Sequence, residues 1–293
     1  MRYLRGTPLA GLARRFLEDA RRRALQAEDI VPSEVHHFDR TRWVIKELEF
    51  GARIWCSLNE RAISRPILLN AYEPAETRFI AMTVRPGDLA VDAGANIGYH
   101  TLHLAHLAGE GGHVEAFEPI PYLAQALAAG VAESAFTARV TVHRAALDER
   151  PGTLQMRRAQ STSNFGGAYF APGDVHPDEV EVAAVLRLDD VIAGRSCRFL
   201  KMDVEGAEPR VIRGGLQTLM TGRPVILSEL HNPQLQIVSQ TTADAFIAQL
   251  SALGYRCSRL NPDGTRGHAL DRYADLDPVN VVFDPVAAAR SGC

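Results

Sequence analysis

Four short stretches of this sequence put glycines or acids where apolar runs stop, which is where a folded chain can present chemistry to a ligand. The first is Val91-Asp92-Ala93-Gly94-Ala95-Asn96-Ile97-Gly98, in which the glycines let the backbone turn sharply and approach a ligand closely. The second is Glu118, which ends Val114-Glu115-Ala116-Phe117. It lies about 20 residues beyond the glycine turn, where an acid can accept both hydroxyls of a ribose. Together they describe an adenosine-type site. Gly-x-Gly-x-x-Gly is absent, and Asp92 stands just ahead of the turn, where a carboxylate faces a cationic or amino-bearing ligand rather than a pyrophosphate.

The third stretch is Phe199-Leu200-Lys201-Met202-Asp203-Val204-Glu205-Gly206-Ala207-Glu208, and the fourth is Val225-Ile226-Leu227-Ser228-Glu229-Leu230-His231. Each reads as a buried strand ending in charge, so Asp203, Glu205, Glu229 and His231 are expected at the mouth of one site. Glu208, just before Pro209, reads as a favourable helix start. His231 is the first choice for a general base, because neutral imidazole is available near pH 7. Alternatively, Asp203, Glu205 and Glu229 could bind Mg²⁺, which would lower the pKa of a chelating diol. The residues leave both routes open.

Positioning these groups requires strands whose carboxyl ends lie side by side. From Arg85 the chain alternates strand and helix: strand Leu89–Val91, a helix carrying Ile97, Thr101, Leu104 and Ala108, strand Gly112–Phe117, helix Ile120–Val131 and strand Arg139–His143. Strand Arg198–Met202, helix Ala207–Met220, strand Val225–Glu229, helix Thr242–Leu253 and strands Tyr255–Ser258 and Val279–Phe283 are expected to follow. Such alternation implies βαβ units and an α/β, doubly wound, mostly parallel seven-stranded sheet, Rossmann-like, with ligands outside the carboxyl ends. Residues 1–72 read as an N-terminal extension, helical at first and then a hairpin or bent strand around Gly51; Arg61–Val84 reads as mostly helical. Residues 73–293 read as the catalytic domain, with an insertion at about 148–186 that holds strands Thr153–Arg158 and Glu179–Val185 around the polar loop Ala159–Asp178.

With those motifs in place, the chain resembles the FkbM-type methyltransferases. Arg85-Pro86-Gly87-Asp88 through Gly98-Tyr99, Phe117-Glu118-Pro119, Leu188-Asp189-Asp190 and Lys201 through Glu208 are similar to that family's signatures, in its order, over Glu73 to Glu229. The resemblance implies a class I fold and S-adenosylmethionine as cofactor, a ligand with an ammonium, a sulfonium and no phosphate. It also implies O-methyl transfer onto hydroxyls of sugars, polyketides or other secondary metabolites. The candidate cofactor residues are then Asp92, Gly94, Asn96, Gly98, Tyr99, Glu118, Pro119 and Asp203, and the catalytic candidates His231, Asp203 and Glu205. Two positions depart from the family pattern: His100 replaces an aromatic, and Arg144-Ala145-Ala146 replaces an asparagine-bearing version near the adenine.

Thirty-two basic and thirty-five acidic residues give a formal charge of -3, which offers no overall attraction to a phosphate backbone. A small-molecule partner is expected rather than a nucleic acid or a membrane, with a homo-oligomer left open. Cys56, Cys197, Cys257 and Cys293 are scattered and read as reduced thiols of a cytoplasmic protein. The arginine-rich start reads as a solvated helix burying Leu9, Leu12, Phe16 and Leu25, and His36-His37 as a surface pair. His100, His103 and His106 step about 300° apart around a helix, a poor spacing for one metal. Asp189-Asp190 reads as helix capping. The competing functions are a nicotinamide-dependent oxidoreductase, against which the missing dinucleotide fingerprint argues, and a non-catalytic adenosyl-ligand sensor or scaffold, against which the convergent acids argue.

Overall fold

The structure is a computed structural model describing Phe38 and residues 42–157, 169–170 and 180–286. The expected N-terminal helix, His36-His37, most of the loop Ala159–Asp178 and Cys293 lie outside the described residues.

Strand β1 (Trp43–Glu47) and strand β2 (Arg53–Ser57) form the expected hairpin, pairing antiparallel from Trp43 opposite Ser57. Helices α1 (Ser64–Leu68) and α2 (Pro74–Thr83) follow, making Arg61–Val84 mostly helical as expected, with Asn70 and Glu73 between the two helices in left-handed backbone. Next come β3 (Leu89–Ala93), α3 (Tyr99–Ala108), β4 (His113–Phe117), α4 (Pro121–Ala132) and β5 (Arg139–His143). A side sheet holds β6 (Ala145–Leu147), β7 (Gly152–Arg157), β8 (Tyr169–Phe170) and β9 (Val180–Leu186), in the order β6-β9-β7-β8. The chain then returns through α5 (Leu188–Ile192), β10 (Cys197–Met202), α6 (Glu208–Gly214), α7 (Leu216–Gly222), β11 (Val225–Leu230), α8 (Asn232–Ser239), α9 (Ala243–Ala252), β12 (Tyr255–Leu260), β13 (Arg266–Ala269) and β14 (Val279–Pro285).

The main sheet has eight strands in the order β13-β12-β14-β11-β10-β3-β4-β5. β11, β10, β3, β4 and β5 pair in parallel, while β14, β12 and β13 add antiparallel. All five residues of β3 are buried, the signature of a strand covered on both faces. Alternation sorts its side chains: Val91 and Ala93 pack with Leu200, Met202 and Ile226 on one face, and Ala90 packs with Phe199, Leu227 and Val282 on the other. From β3 the chain winds outward to β4 and β5, then crosses back to β10 on the other side. The strand order therefore reverses between β3 and β10, which opens a crevice at their carboxyl ends.

The expected long helix Ala207–Met220 is two helices meeting at Gly214 and Gly215. A Cβ at Gly214 would stand 2.2 Å from the Asp148 carbonyl oxygen, so the close approach of another segment, rather than local propensity, sets the break. Asp189 accepts bonds from the backbone N–H of Gln217 (3.1 Å) and Thr218 (2.8 Å), capping α7 from a neighbouring helix. Strands β6, β8 and β13 and helix α8 add to the expected elements. Cys56, Cys197 and Cys257 are free and buried.

Helix α4 carries the hairpin. At Gly130 the helix comes so close to β2 that a Cβ would lie 2.8 Å from the Arg53 carbonyl oxygen, and Ser134 Oγ accepts from the Arg53 N–H at 2.8 Å. Overpacking of this kind costs about 1 to 3 kcal/mol. Gly130→Val should therefore lower the midpoint of denaturant unfolding by an equivalent amount; an unchanged midpoint would show that the hairpin is not seated on α4.

Candidate functional site

A cavity of about 270 Å³ opens at the carboxyl ends of β3, β4, β10 and β11. Its floor is the turn Gly94–Asn96 after β3, Glu118 and Pro119 after β4, Lys201, Asp203 and Glu205 at the end of β10, and Glu229 near the end of β11. Ala62, Ile63, Tyr72 and Glu73 wall it from the segment between β2 and α2, and Leu154 and Met156 close it from β7.

The glycine turn is fixed from both sides. The Gly94 and Ala95 N–H groups both donate to the Phe117 carbonyl, at 3.0 and 2.9 Å. Gly94 has φ +80°, and a Cβ there would meet the Asp203 carbonyl oxygen at 1.8 Å. Glycine at this position is thus demanded by the packing of the turn on the end of β10, beyond any need of a ligand.

Glu118 is 4% exposed, and each of its oxygens already holds one backbone N–H: Asn96 on Oε2 at 2.9 Å and Ile120 on Oε1 at 2.7 Å. Burial pushes its carboxyl up to about 7, against the pull of those two N–H groups and with help from Asp92 and Asp203. Glu205 and Glu229 rise to about 8, first through burial and then through Asp203 and their acidic neighbours. Glu208 rises to about 7 by burial, although its Oε1 accepts from the Val204 N–H at 3.1 Å, as a helix-start acid would. Facing these acids is one buried ammonium: Lys201 Nζ lies 3.5 Å from Asp203 Oδ2 and 4.0 Å from Asp92 Oδ1. Burial disfavours its charge, but Asp203, Asp92 and Glu73 together raise its pKa above the ordinary lysine value.

Of the expected cofactor residues, Gly94, Asn96, Tyr99, Glu118, Pro119 and Asp203 line the cavity. Asp92 and Gly98 stand behind it. Asp92 has no exposed surface, and its Oδ2 accepts from Thr101 Oγ1 at 2.6 Å; Gly98 opens α3 against Leu127. Glu205 and Glu229 are at the cavity, but His231 is not among its lining residues. β11 stops at Leu230 and the chain turns there, leaving His231 as the N-cap of α8 with its carbonyl accepting from the Leu235 N–H at 3.0 Å. Nor do Asp203, Glu205 and Glu229 assemble as a metal set: among the described residues no group of three or more His, Cys, Asp or Glu side chains is placed to hold an ion. His103 and His106 pack on Phe50 at 4.7 and 4.5 Å between ring centroids, whereas His100 turns inward to the cavity.

Sequence reasoning passed over Tyr72, Glu73, His100, Lys201 and Arg210 as cavity residues. Lys201 carried a signal, a charge inside the apolar run Phe199–Met202. Glu73, ahead of Pro74, reads like an ordinary helix start. Arg210 is held by Asp148 through Nε to Oδ1 at 3.0 Å and Nη2 to Oδ2 at 2.5 Å, a fork between α6 and the residue after β6.

The raised acids give stability a sign with pH. Glu118, Glu205, Glu208 and Glu229 hold protons in the folded chain that they release near 4.5 when unfolded, so folding stability falls as pH rises toward 8. His103, held down to about 4 by burial, and His113, also lowered by burial, act in the opposite sense only below their ordinary 6.5. Between pH 6.5 and 8.5 the ligand-free protein should lose melting temperature, and Glu205→Gln should flatten that decline. A melting temperature that is level or rises across this interval contradicts the assigned burial.

Residues 92–257, more than half of the chain, match the family model described as the methyltransferase FkbM domain. The chain is 30% identical over 241 residues to the 31-O-demethyl-FK506 methyltransferase FkbM of Streptomyces tacrolimicus, covering 71% of this chain and 83% of that one. Among solved structures, a methyltransferase FkbM from Methylobacillus flagellatus is similar at 18% identity and a TM-score of 0.44, over 75% of this chain and 54% of that one. An S-adenosylmethionine-dependent O-methyltransferase from Thermotoga maritima is similar at 16% identity and a TM-score of 0.42, over 85% and 79%. The chain belongs to the FkbM methyltransferase family and is an S-adenosylmethionine-dependent methyltransferase.

Proposed function

We propose that the chain moves the methyl group of S-adenosylmethionine to a hydroxyl of a small molecule such as a sugar, a polyketide or another secondary metabolite, with the cofactor seated in the cavity described above. Glu118 carries the reading. A carboxylate has about four lone-pair sites, and the two N–H bonds from Asn96 and Ile120 use one on each oxygen, which sets the group's orientation and leaves capacity for a ribose diol. The walls suit a cation without phosphate: acids line them, and the two cationic side chains of the lining, Lys201 and Arg210, are already paired with Asp92, Asp203 and Asp148. The relative from Streptomyces tacrolimicus bears a name that specifies methylation at an oxygen, which supports a hydroxyl acceptor.

When bound, the cofactor supplies an electrophilic methyl group on a sulfonium. The chain supplies position and dryness. The Gly94–Asn96 turn and Glu118 fix the adenosyl end, while Ile63, Leu154 and Met156 keep water from the far wall. Ala62, Ile63 and Tyr72, with Leu154 and Met156 of β7, shape the acceptor side in this reading. With no carboxylate set arranged for a hard cation among the described residues, we favour transfer without Mg²⁺.

Incubation with methyl-labelled cofactor and a panel of glycosides and polyketides should give a labelled O-methyl product, and turnover should survive EDTA. Label found only on nitrogen or carbon would overturn the hydroxyl reading, and a reversible loss of turnover in EDTA would overturn the metal-free route. Glu118→Ala should bind the cofactor at least about tenfold more weakly by calorimetry while remaining folded, since it deletes charge-assisted bonds of roughly 1.5 to 3 kcal/mol each. An unchanged affinity would remove Glu118 from the ribose.

A further inference from the structure

Glu73 is a helix-start residue that does not cap its helix. It occupies the N-cap position of α2 with no side-chain bond to that helix, and Pro74 follows at the first helical position. Its backbone sits at φ 37° and ψ 59°, in the left-handed region that a residue with a Cβ enters only at a cost. What the strained backbone achieves is visible at the other end of the side chain. The carboxylate lines the cavity, 29% exposed, with Oε2 at 2.5 Å from His100 Nε2 and a further hydrogen bond to the Tyr72 phenol. His100 itself is 4% exposed.

The sheet order separates Glu118, which follows β4, from Lys201 on β10 and Glu229 on β11, with β3 between them. Glu73 shares the cavity with Lys201 and Glu229, and its charge acts on both. In the reading that seats the ribose on Glu118, the space beside β10 and β11 is left for the reacting group and the acceptor.

We propose that Glu73 is the catalytic residue that receives the acceptor's hydroxyl proton, and that His100 and Tyr72 are positioning residues holding its carboxylate in the cavity. This rests on the hydroxyl-acceptor reading given above. In the step, an oxygen lone pair of the acceptor forms the new C–O bond as the C–S bond breaks and its electron pair stays on sulfur, giving a neutral thioether. The hydroxyl proton passes to Glu73 and from there to solvent. An oxygen that has begun to bond carbon is strongly acidic, so a well-placed carboxylate accepts its proton even when it is a weak base. Burial would raise the Glu73 carboxyl, but His100, Lys201 and Tyr72 hold it below the usual carboxylate range, which favours its charged form.

The test uses the full chain and a hydroxyl acceptor that the parent protein methylates. Glu73→Gln should lower kcat by about 10²- to 10⁴-fold with cofactor affinity within twofold, and Glu73→Asp, which keeps the charge but withdraws it by one methylene, should also fall at least tenfold. His100→Phe should lose about 10²-fold through a carboxylate that drifts by about 1 Å, while His100→Gln, which keeps a donor toward Glu73, should recover most of that loss. Independently of turnover, calorimetric binding of the acceptor to the protein loaded with S-adenosylhomocysteine should weaken about five- to tenfold in Glu73→Gln, as a charge-assisted bond becomes a neutral one. A Glu73→Gln protein with kcat within twofold of the parent overturns the proposal and leaves the hydroxyl reading standing. Transfer confined to nitrogen or carbon acceptors overturns both.

Discussion

The buried ammonium of Lys201 is the interaction on which the site depends. Strand pairing sets Lys201 opposite Asp92 across the β3–β10 boundary, the line along which the strand order reverses. A charge at that depth is costly unless paired, and Asp92 and Asp203 pair it from the ends of two adjacent strands. The same strand ends hold the glycine turn, since the Asp203 N–H donates to the Ala93 carbonyl at 3.0 Å and the Asp203 carbonyl occupies the space a side chain at Gly94 would need. Replacing Lys201 with an apolar residue would leave two carboxylates uncompensated and loosen the turn that edges the cavity.

Around that buried ammonium the site is rich in acids. Glu118, Glu205, Glu208 and Glu229 all rise toward neutrality, with burial as the first cause and mutual repulsion through Asp203 behind it. Such an arrangement stores unfavourable charge that a cationic ligand relieves, which suits a sulfonium and an ammonium better than a pyrophosphate. Glu73 is the exception: tied to His100 and near Lys201, it stays ionised.

Much of this was legible in the sequence. The βαβ alternation, the glycine turn and the acid about 20 residues beyond it are local patterns with local causes, and they located the sheet and the floor of the cavity. What escaped depends on contacts between distant segments. The break at Gly214 and Gly215 is set by Asp148 and Leu188, and Asp92 turns to Thr101 and Lys201 because β10 lies beside β3. The two-residue period of β11 points from Glu229 to His231, whereas the strand ends one residue sooner and His231 becomes the N-cap of α8. β13, Arg266–Ala269, has no buried apolar alternation to announce it. Glu73 gave no sign, since its direction follows from a left-handed backbone that no residue type there requires.

The proposed chemistry turns on an orientation: adenosine over Glu118, reacting group toward Glu73 and Glu229. A crystal structure of the chain with S-adenosylhomocysteine bound tests it most directly. Both ribose hydroxyls are expected within hydrogen-bond distance of the Glu118 carboxylate, with the sulfur toward Glu73 and Glu229. An adenosyl group lying against Glu73 and Glu229, with the amino-acid end of the ligand on Glu118, would contradict it.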